Sequence, residues 1–275
     1  MLNPIKKFNK AAAFAGGVLL LSASTANADL VVTYAESPGV ETSSLTGTSV
    51  EDFNSLTANT KYTNLAWMDG STAIGTFNQV YIKGVDQYGG ATGTGYPNGS
   101  NYVVESGSVG SPNNVSASTL TLATSSAYFG FWWSAGDANN EVQFYDSTGA
   151  LVAQFTTATL MNKLPSTYDG NPRSPTTLDT KEPFAFINFY GTAGVTFDKI
   201  VFTDTASSGF EADNYTVRAA AWGTQSGETG ATPGVVLESI SGTSVTVIPE
   251  PAVSLLLLAG IGALSGVRRI KPVKV

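Results

Sequence analysis

The chain has 275 residues, 14 basic and 21 acidic side chains, no cysteine and no histidine. Missing histidine excludes Ser-His-Asp and Cys-His nucleophile systems, His-ligated zinc and HExxH sites, and missing cysteine leaves a secreted form to be held by core burial, by a bound ion, or by both. A formal charge of −7 runs against the basic stripe that nucleic acids require, so no nucleic-acid partner is expected.

In chain order, Lys6, Lys7 and Lys10 precede an apolar run, Ala11 to Leu21, and Ala26-Asn27-Ala28 matches the A-x-A pattern of signal peptidase sites. This reads as a secretory signal peptide over residues 1–28, with the mature chain starting near Asp29. A run of about eleven residues is too short for a hydrocarbon core that needs about twenty. Setting aside the charges of both chain ends leaves seven basic and twenty acidic residues, a body near −13. Such a surface suits divalent cations and solubility.

Residues 29–222 leave room for one domain. Helical periodicity is scarce, and short strand-like runs alternate with turn residues, which predicts an all-β, jelly-roll-like β-sandwich. Val80–Val85 and Asn101–Glu105 read as strands around a Gly/Thr/Asn loop from Gly89 to Ser100. Ala127–Trp133 is a dense aromatic strand. Glu141–Tyr145, the Asp146-Ser147-Thr148-Gly149 turn and Leu151–Phe155 form the clearest hairpin. Phe184–Tyr190, Val195–Phe202 and Tyr215–Val217 read as later strands. The Gly/Ser/Thr-rich segment 223–247 reads as a stalk, with Val235-Val236-Leu237-Glu238 able to add a further strand to the domain.

Three constellations carry candidate chemistry. Trp132 and Trp133 are candidate sugar-stacking rings, against the simpler reading that period-2 placement puts aromatic side chains in the core. Asp137 and Asn140, in the polar stretch after that strand, are candidates for contacting sugar hydroxyls or an ion, against a satisfied turn. Paired with Glu141, Asp137 would also serve a carboxylate-based glycoside-active enzyme, although two acids alone are a weak signal. No catalytic residue is assigned, and no cofactor is required. For a structural calcium, which takes six to eight oxygen ligands, the candidates are Glu51, Asp213 and Asn214. The competing reading is solvated acids at strand ends.

The chain closes with Pro249-Glu250-Pro251, an apolar run over 252–267, and Arg268, Arg269, Lys271 and Lys274. As a helix the sixteen apolar residues would rise about 24 Å at ~1.5 Å each, a marginal span of a core of about 30 Å. The basic cluster would stay cytoplasmic and leave the body outside. This order of parts resembles the PEP-CTERM sorting segment of Gram-negative bacteria, here residues 248–275. That resemblance implies recognition by an exosortase, passing residence in the inner membrane, and a mature form at the cell surface or outside the cell. Trp132–Asp137, Phe144-Tyr145-Asp146 and Gly209–Asn214 are similar to an exosortase-dependent surface-protein family named after a Nostoc punctiforme member, which implies the same localisation and a β-sandwich. The layout also resembles jelly-roll carbohydrate-binding modules, whose first and last strands pair and often share a calcium. Signal peptidase, exosortase and an extracellular polysaccharide are the partners these readings name.

Overall fold

The computed structural model describes residues 29–91, 100–107, 114–172, 181–192, 194–206, 208–241 and 244–246. The signal peptide expected over residues 1–28 lies outside the described residues. So does the expected sorting segment with Pro249, Glu250, Pro251, Arg268 and Arg269, together with its apolar run. Among the described residues no helix is long and apolar enough to cross a membrane.

The body is all-β. Its strands are β1 (Leu30–Tyr34), β2 (Ser49–Glu51), β3 (Thr60–Asp69), β4 (Thr72–Lys83), β5 (Tyr102–Val104), β6 (Ser118–Ser126) and β7 (Tyr128–Ser134). The second half adds β8 (Asn140–Tyr145), β9 (Leu151–Thr156), β10 (Ala185–Gly191), β11 (Phe197–Asp204), β12 (Glu211–Arg218), β13 (Val235–Ser241) and β14 (Ser244–Thr246). One short helix, α1 (Thr157–Met161), follows β9. All strands join one antiparallel sheet in the order β14-β13-β1-β10-β7-β12-β5-β4-β6-β11-β8-β9, with β2 added to β12 and β3 to β4.

Aromatic side chains curl this sheet onto itself. Phe129 on β7 meets Phe144 on β8 and Phe202 on β11, with ring centroids 6.2 and 5.9 Å apart. Phe189 on β10 meets Phe155 on β9 at 5.2 Å. None of these strand pairs is hydrogen-bonded, so one arm of the sheet lies over the other and the rings fill the space between. Offset and edge-on ring pairs add to the burial of their area.

The central hairpin forms as its sequence predicts. Asp146 Oδ1 accepts hydrogen bonds from the Thr148 and Ala150 amides, both at 2.9 Å, and from the Thr148 hydroxyl at 2.7 Å. Gly149 takes φ +84°, which glycine adopts without a Cβ penalty.

Strand β7 is buried along both faces, beyond the single buried face that alternation predicts. Phe129, Phe131 and Trp133 enter the main core. On the other face Trp132 packs with Phe184 and Phe186, and Tyr128 with Tyr190 and Leu45. Loops cover that second face. One of them occupies the first half of the expected stalk: Arg218 pairs with Glu228 and donates through Nε to the Ala220 carbonyl at 2.9 Å. Trp222 lies against Tyr190 with ring centroids 6.5 Å apart. The rest of the segment includes β13, which pairs with β1 from Val235 to Ile240. The folded body therefore runs well past Trp222, for a physical reason: Leu237 and Ile240 bury apolar surface that a free stalk would expose.

Candidate functional site

Four strands present one row of side chains to the loop-covered face. Register matches Tyr81 on β4 with Val104 on β5, Val104 with Glu211 on β12, and Glu211 with Ser134 on β7. Residues directly opposite in an antiparallel pair share a face. Lys83, two residues after Tyr81, points the same way. A cavity of ≈ 540 Å³ stands over this row, lined by Tyr81, Lys83, Tyr88, Ala135, Asp137, Glu182, Ser208 and Glu211.

Local turns position the walls. Asp86 pairs with Lys83 at 2.8 Å, accepts the Tyr88 amide and receives the Tyr102 hydroxyl, both at 2.9 Å, which seats the loop that carries Tyr88. Asp137 sits in an Asx turn with the Asn139 amide at 2.6 Å and receives the Ser208 hydroxyl. Two glycines are required here. A Cβ on Gly136 would stand 2.2 Å from the Trp133 ring, and one on Gly209 would stand 2.3 Å from Glu211 Oε1.

Burial pushes the Glu211 carboxyl up to about 8; Lys83 opposes the shift, and Asp137 and Glu182 add to it. Deeper in the fold, burial raises Glu105 to about 7, against the hydrogen bond it accepts from the Tyr215 hydroxyl at 2.6 Å. Both acids favour the neutral form when folded. Unfolded, they titrate near ~4.3, so the native state holds more protons between about pH 4 and about 8, and stability falls as pH rises through that window. Thermal melts from about pH 5 to about pH 8 should show a falling midpoint, and Glu105→Gln should flatten the slope below about pH 7. A midpoint insensitive to pH in both proteins would contradict this assignment.

The residues singled out in the sequence meet different fates. Trp132 and Trp133 are 1 % and 0 % exposed, so neither offers a ring face to a ligand in solvent. Asn140 is buried; its Oδ1 accepts the Trp133 indole N–H and its Nδ2 donates to the Gly209 carbonyl, each at 2.8 Å. It positions the cavity wall without lining it. Of the four, Asp137 alone lines the cavity. Glu141 does not join it: its two oxygens accept from Gln143 on its own strand and from Gln154 across the β8–β9 hairpin.

Glu51, Asp213 and Asn214 are likewise engaged with protein groups. Strands β2 and β12 do pair, but Glu51 stands opposite Tyr215, and its Oε1 accepts the Phe53 amide at 2.9 Å. Burial, ahead of the Phe53 N–H that opposes it, raises the Glu51 carboxyl. Asp213 Oδ2 accepts the Ala91 amide and the Ser100 hydroxyl, each at 2.8 Å, and Oδ1 accepts the Asn214 amide at 2.7 Å. Asn214 donates to the Glu41 carbonyl at 2.8 Å. Among the described residues no group of three or more acid side chains is arranged to hold a metal ion.

Sequence reading missed Tyr81, Lys83, Tyr88, Glu182 and Ser208 as site residues. They come from separate stretches of chain and carry no shared motif; strand register places Tyr81 and Lys83, and the loops over that row bring Tyr88, Glu182 and Ser208 to them. No family model, curated protein or solved structure matches this chain.

Proposed function

We propose that this is an exported protein of the cell surface or extracellular matrix, non-catalytic, whose jelly-roll-like β-sandwich body contacts polysaccharide. Export rests on the signal-peptide pattern of residues 1–28. Sorting rests on the tail, in which Pro249-Glu250-Pro251, the apolar run 252–267 and Arg268-Arg269 stand in the order an exosortase substrate would need. The single observation that carries polysaccharide contact is the cavity over the Tyr81–Glu211 row, where two tyrosines stand among carboxylate, hydroxyl and ammonium groups. That mixture of ring faces and convergent polar groups suits sugar units. Fractionating cells that carry the full chain, or the chain without residues 248–275, should find the full chain's product outside the inner membrane with its tail removed. Uncut full-length protein held in the inner membrane would overturn the sorting.

One observation favours a second, catalytic reading. Asp137 shares the cavity with Glu211, whose raised carboxyl would stay protonated at neutral pH as a general acid does. A glycoside-active enzyme would then use Asp137 with Glu211, not Asp137 with Glu141. Turnover of a polysaccharide, abolished by Asp137→Asn and by Glu211→Gln, would establish it.

A further inference from the structure

We propose that the cavity over the Tyr81–Glu211 row takes an uncharged, hydroxyl-bearing sugar unit, to which Ser134 and Glu211 donate hydrogen bonds. This rests on the polysaccharide reading and narrows it.

The charged groups of the cavity are already engaged within the protein. Lys83 is the one cation among the described residues that line it. Asp86 holds its Nζ at 2.8 Å, and the ammonium lies 5.2 Å from the Tyr88 ring centre and 5.8 Å from that of Tyr102. Asp137 accepts the Asn139 amide through Oδ1 and the Ser208 hydroxyl through Oδ2. Glu182 has its own interaction within the protein. An ionic ligand would have to draw its counter-ion away from these partners, whereas a neutral one leaves them in place.

What remains to meet a ligand is uncharged. The Ser134 hydroxyl is fully buried and has no hydrogen-bond partner among the described residues. Register sets it opposite Glu211, and its chain neighbour Ala135 lines the cavity. Buried hydroxyls are rarely left unbonded, so a sugar oxygen, directly or through one bridging water, completes this one. The titratable groups facing Glu211 are Lys83 on β4, Tyr102 on β5, Asp137 after β7 and Glu182 before β10. Burial outweighs the attraction of Lys83 and keeps the Glu211 carboxyl protonated below about pH 8. A protonated carboxyl donates one hydrogen bond and still accepts others, which matches a sugar hydroxyl.

Size and rings agree with this. The cavity's ≈ 540 Å³ falls within the range of about 300–1,000 Å³ common for small-molecule sites. Tyr88, 39 % exposed at the rim, offers ring area on which a pyranose can stack.

The test is isothermal titration calorimetry of the full chain in detergent at about pH 6 and about pH 9, on either side of the Glu211 titration. The probes are hexamers of glucose, mannose, galactose and N-acetylglucosamine, which are neutral, and of galacturonate and glucosamine, which are charged. At the lower pH at least one neutral hexamer should bind about tenfold more tightly than either charged one. Its affinity should fall about tenfold at the higher pH, because only about a tenth of Glu211 then keeps its proton. Glu211→Gln retains a donor at every pH; it should bind about threefold more weakly at the lower pH and lose little more at the higher one. Glu105 and Asp213, which also titrate in this range, are kept in that variant, so any loss it shows belongs to them. Near-ultraviolet circular dichroism confirms that the variant is folded; if it is not, the probe series and pH profile of the unaltered chain decide the question. A charged hexamer binding as tightly as every neutral one would overturn the uncharged preference, and an affinity equal at both pH values would overturn donation by Glu211. Either result leaves polysaccharide contact standing. Binding of none of the six would overturn both.

Discussion

Replacing Phe129 by alanine is expected to lower unfolding free energy by about 3–5 kcal/mol. Phe129 is fully buried, and its ring meets those of Phe131, Phe144, Phe189, Phe202 and Tyr215 at centroid distances from 5.3 to 6.3 Å. Those partners come from β7, β8, β10, β11 and β12, on both arms of the curled sheet. Truncation opens a void that β-strands locked by register cannot close, so the cavity cost adds to the lost transfer energy. Phe129→Leu keeps most of the volume and should cost about 1–2 kcal/mol. Met68→Ala, at a side chain 47 % exposed, should stay within about 0.5 kcal/mol. Equilibrium urea unfolding of the three variants checks the order. A Phe129→Ala cost no larger than that of Met68→Ala would mean that the rings do not hold the two arms together.

The strands that sequence made legible are those whose ends are marked by turn chemistry. The β8–β9 hairpin is the clearest case, because Asp146 and Gly149 encode the turn locally. The aromatic run of β7 and the alternating run of β11 were legible for a related reason, since β-branched and aromatic residues suit a pleated, half-buried surface. The long hairpin of β3 and β4 was less so. Strand β3 has exposed positions along much of its length, and Asn64 takes φ +53° in its middle, so neither composition nor alternation marks it.

The segment after Trp222 shows a different limit. Its Gly, Ser and Thr content suggests a free stalk, yet Arg218, Glu228 and Trp222 tie the first part down through contacts that no local pattern reveals. Within β13, simple alternation would turn Glu238 away from Leu237. The register instead breaks between Val32 and Thr33, so that Glu238 stands opposite the buried Val32 while Leu237 is also buried. A bulge of one residue shifts every later side chain to the other face.

The candidate site was legible only in fragments. Asp137 stood out because it follows the aromatic strand in a polar turn. Its strand-borne partners in the cavity, Tyr81, Lys83 and Glu211, are set by pairings among β4, β5, β12 and β7, which are separated widely in the chain, and the others by loops above them. The tryptophans were ambiguous for a physical reason: a ring that stacks on sugar and a ring that fills a core have the same composition and period. What decides between them is the loops that cover the outer face of β7.

Asp213→Ala should be comparably damaging, about 3–5 kcal/mol for several buried donors left unsatisfied together. The Asp213 carboxyl is wholly buried and accepts the Ala91 amide, the Ser100 hydroxyl and the Asn214 amide. Alanine leaves those donors without their acceptor inside the protein, each at a desolvation cost of about 1–3 kcal/mol. Burial raises this carboxyl to about 8 in spite of the donors, so much of its value at neutral pH lies in accepting hydrogen bonds, with charge secondary. Asp213→Asn keeps an acceptor oxygen and should lose only about 1–2 kcal/mol. Ala91 and Ser100 bracket residues 92–99, so the same carboxyl ties the two ends of that segment to β12. Amide exchange at Ala91 should therefore quicken far more in the alanine variant than global destabilisation explains. Melts with calcium and with a chelator separate this role from ion binding. If Asp213 serves protein donors, calcium leaves the midpoint unchanged. If it holds calcium, the midpoint rises with the ion and the asparagine variant loses most of that response, because an amide oxygen is a poorer calcium ligand than a carboxylate.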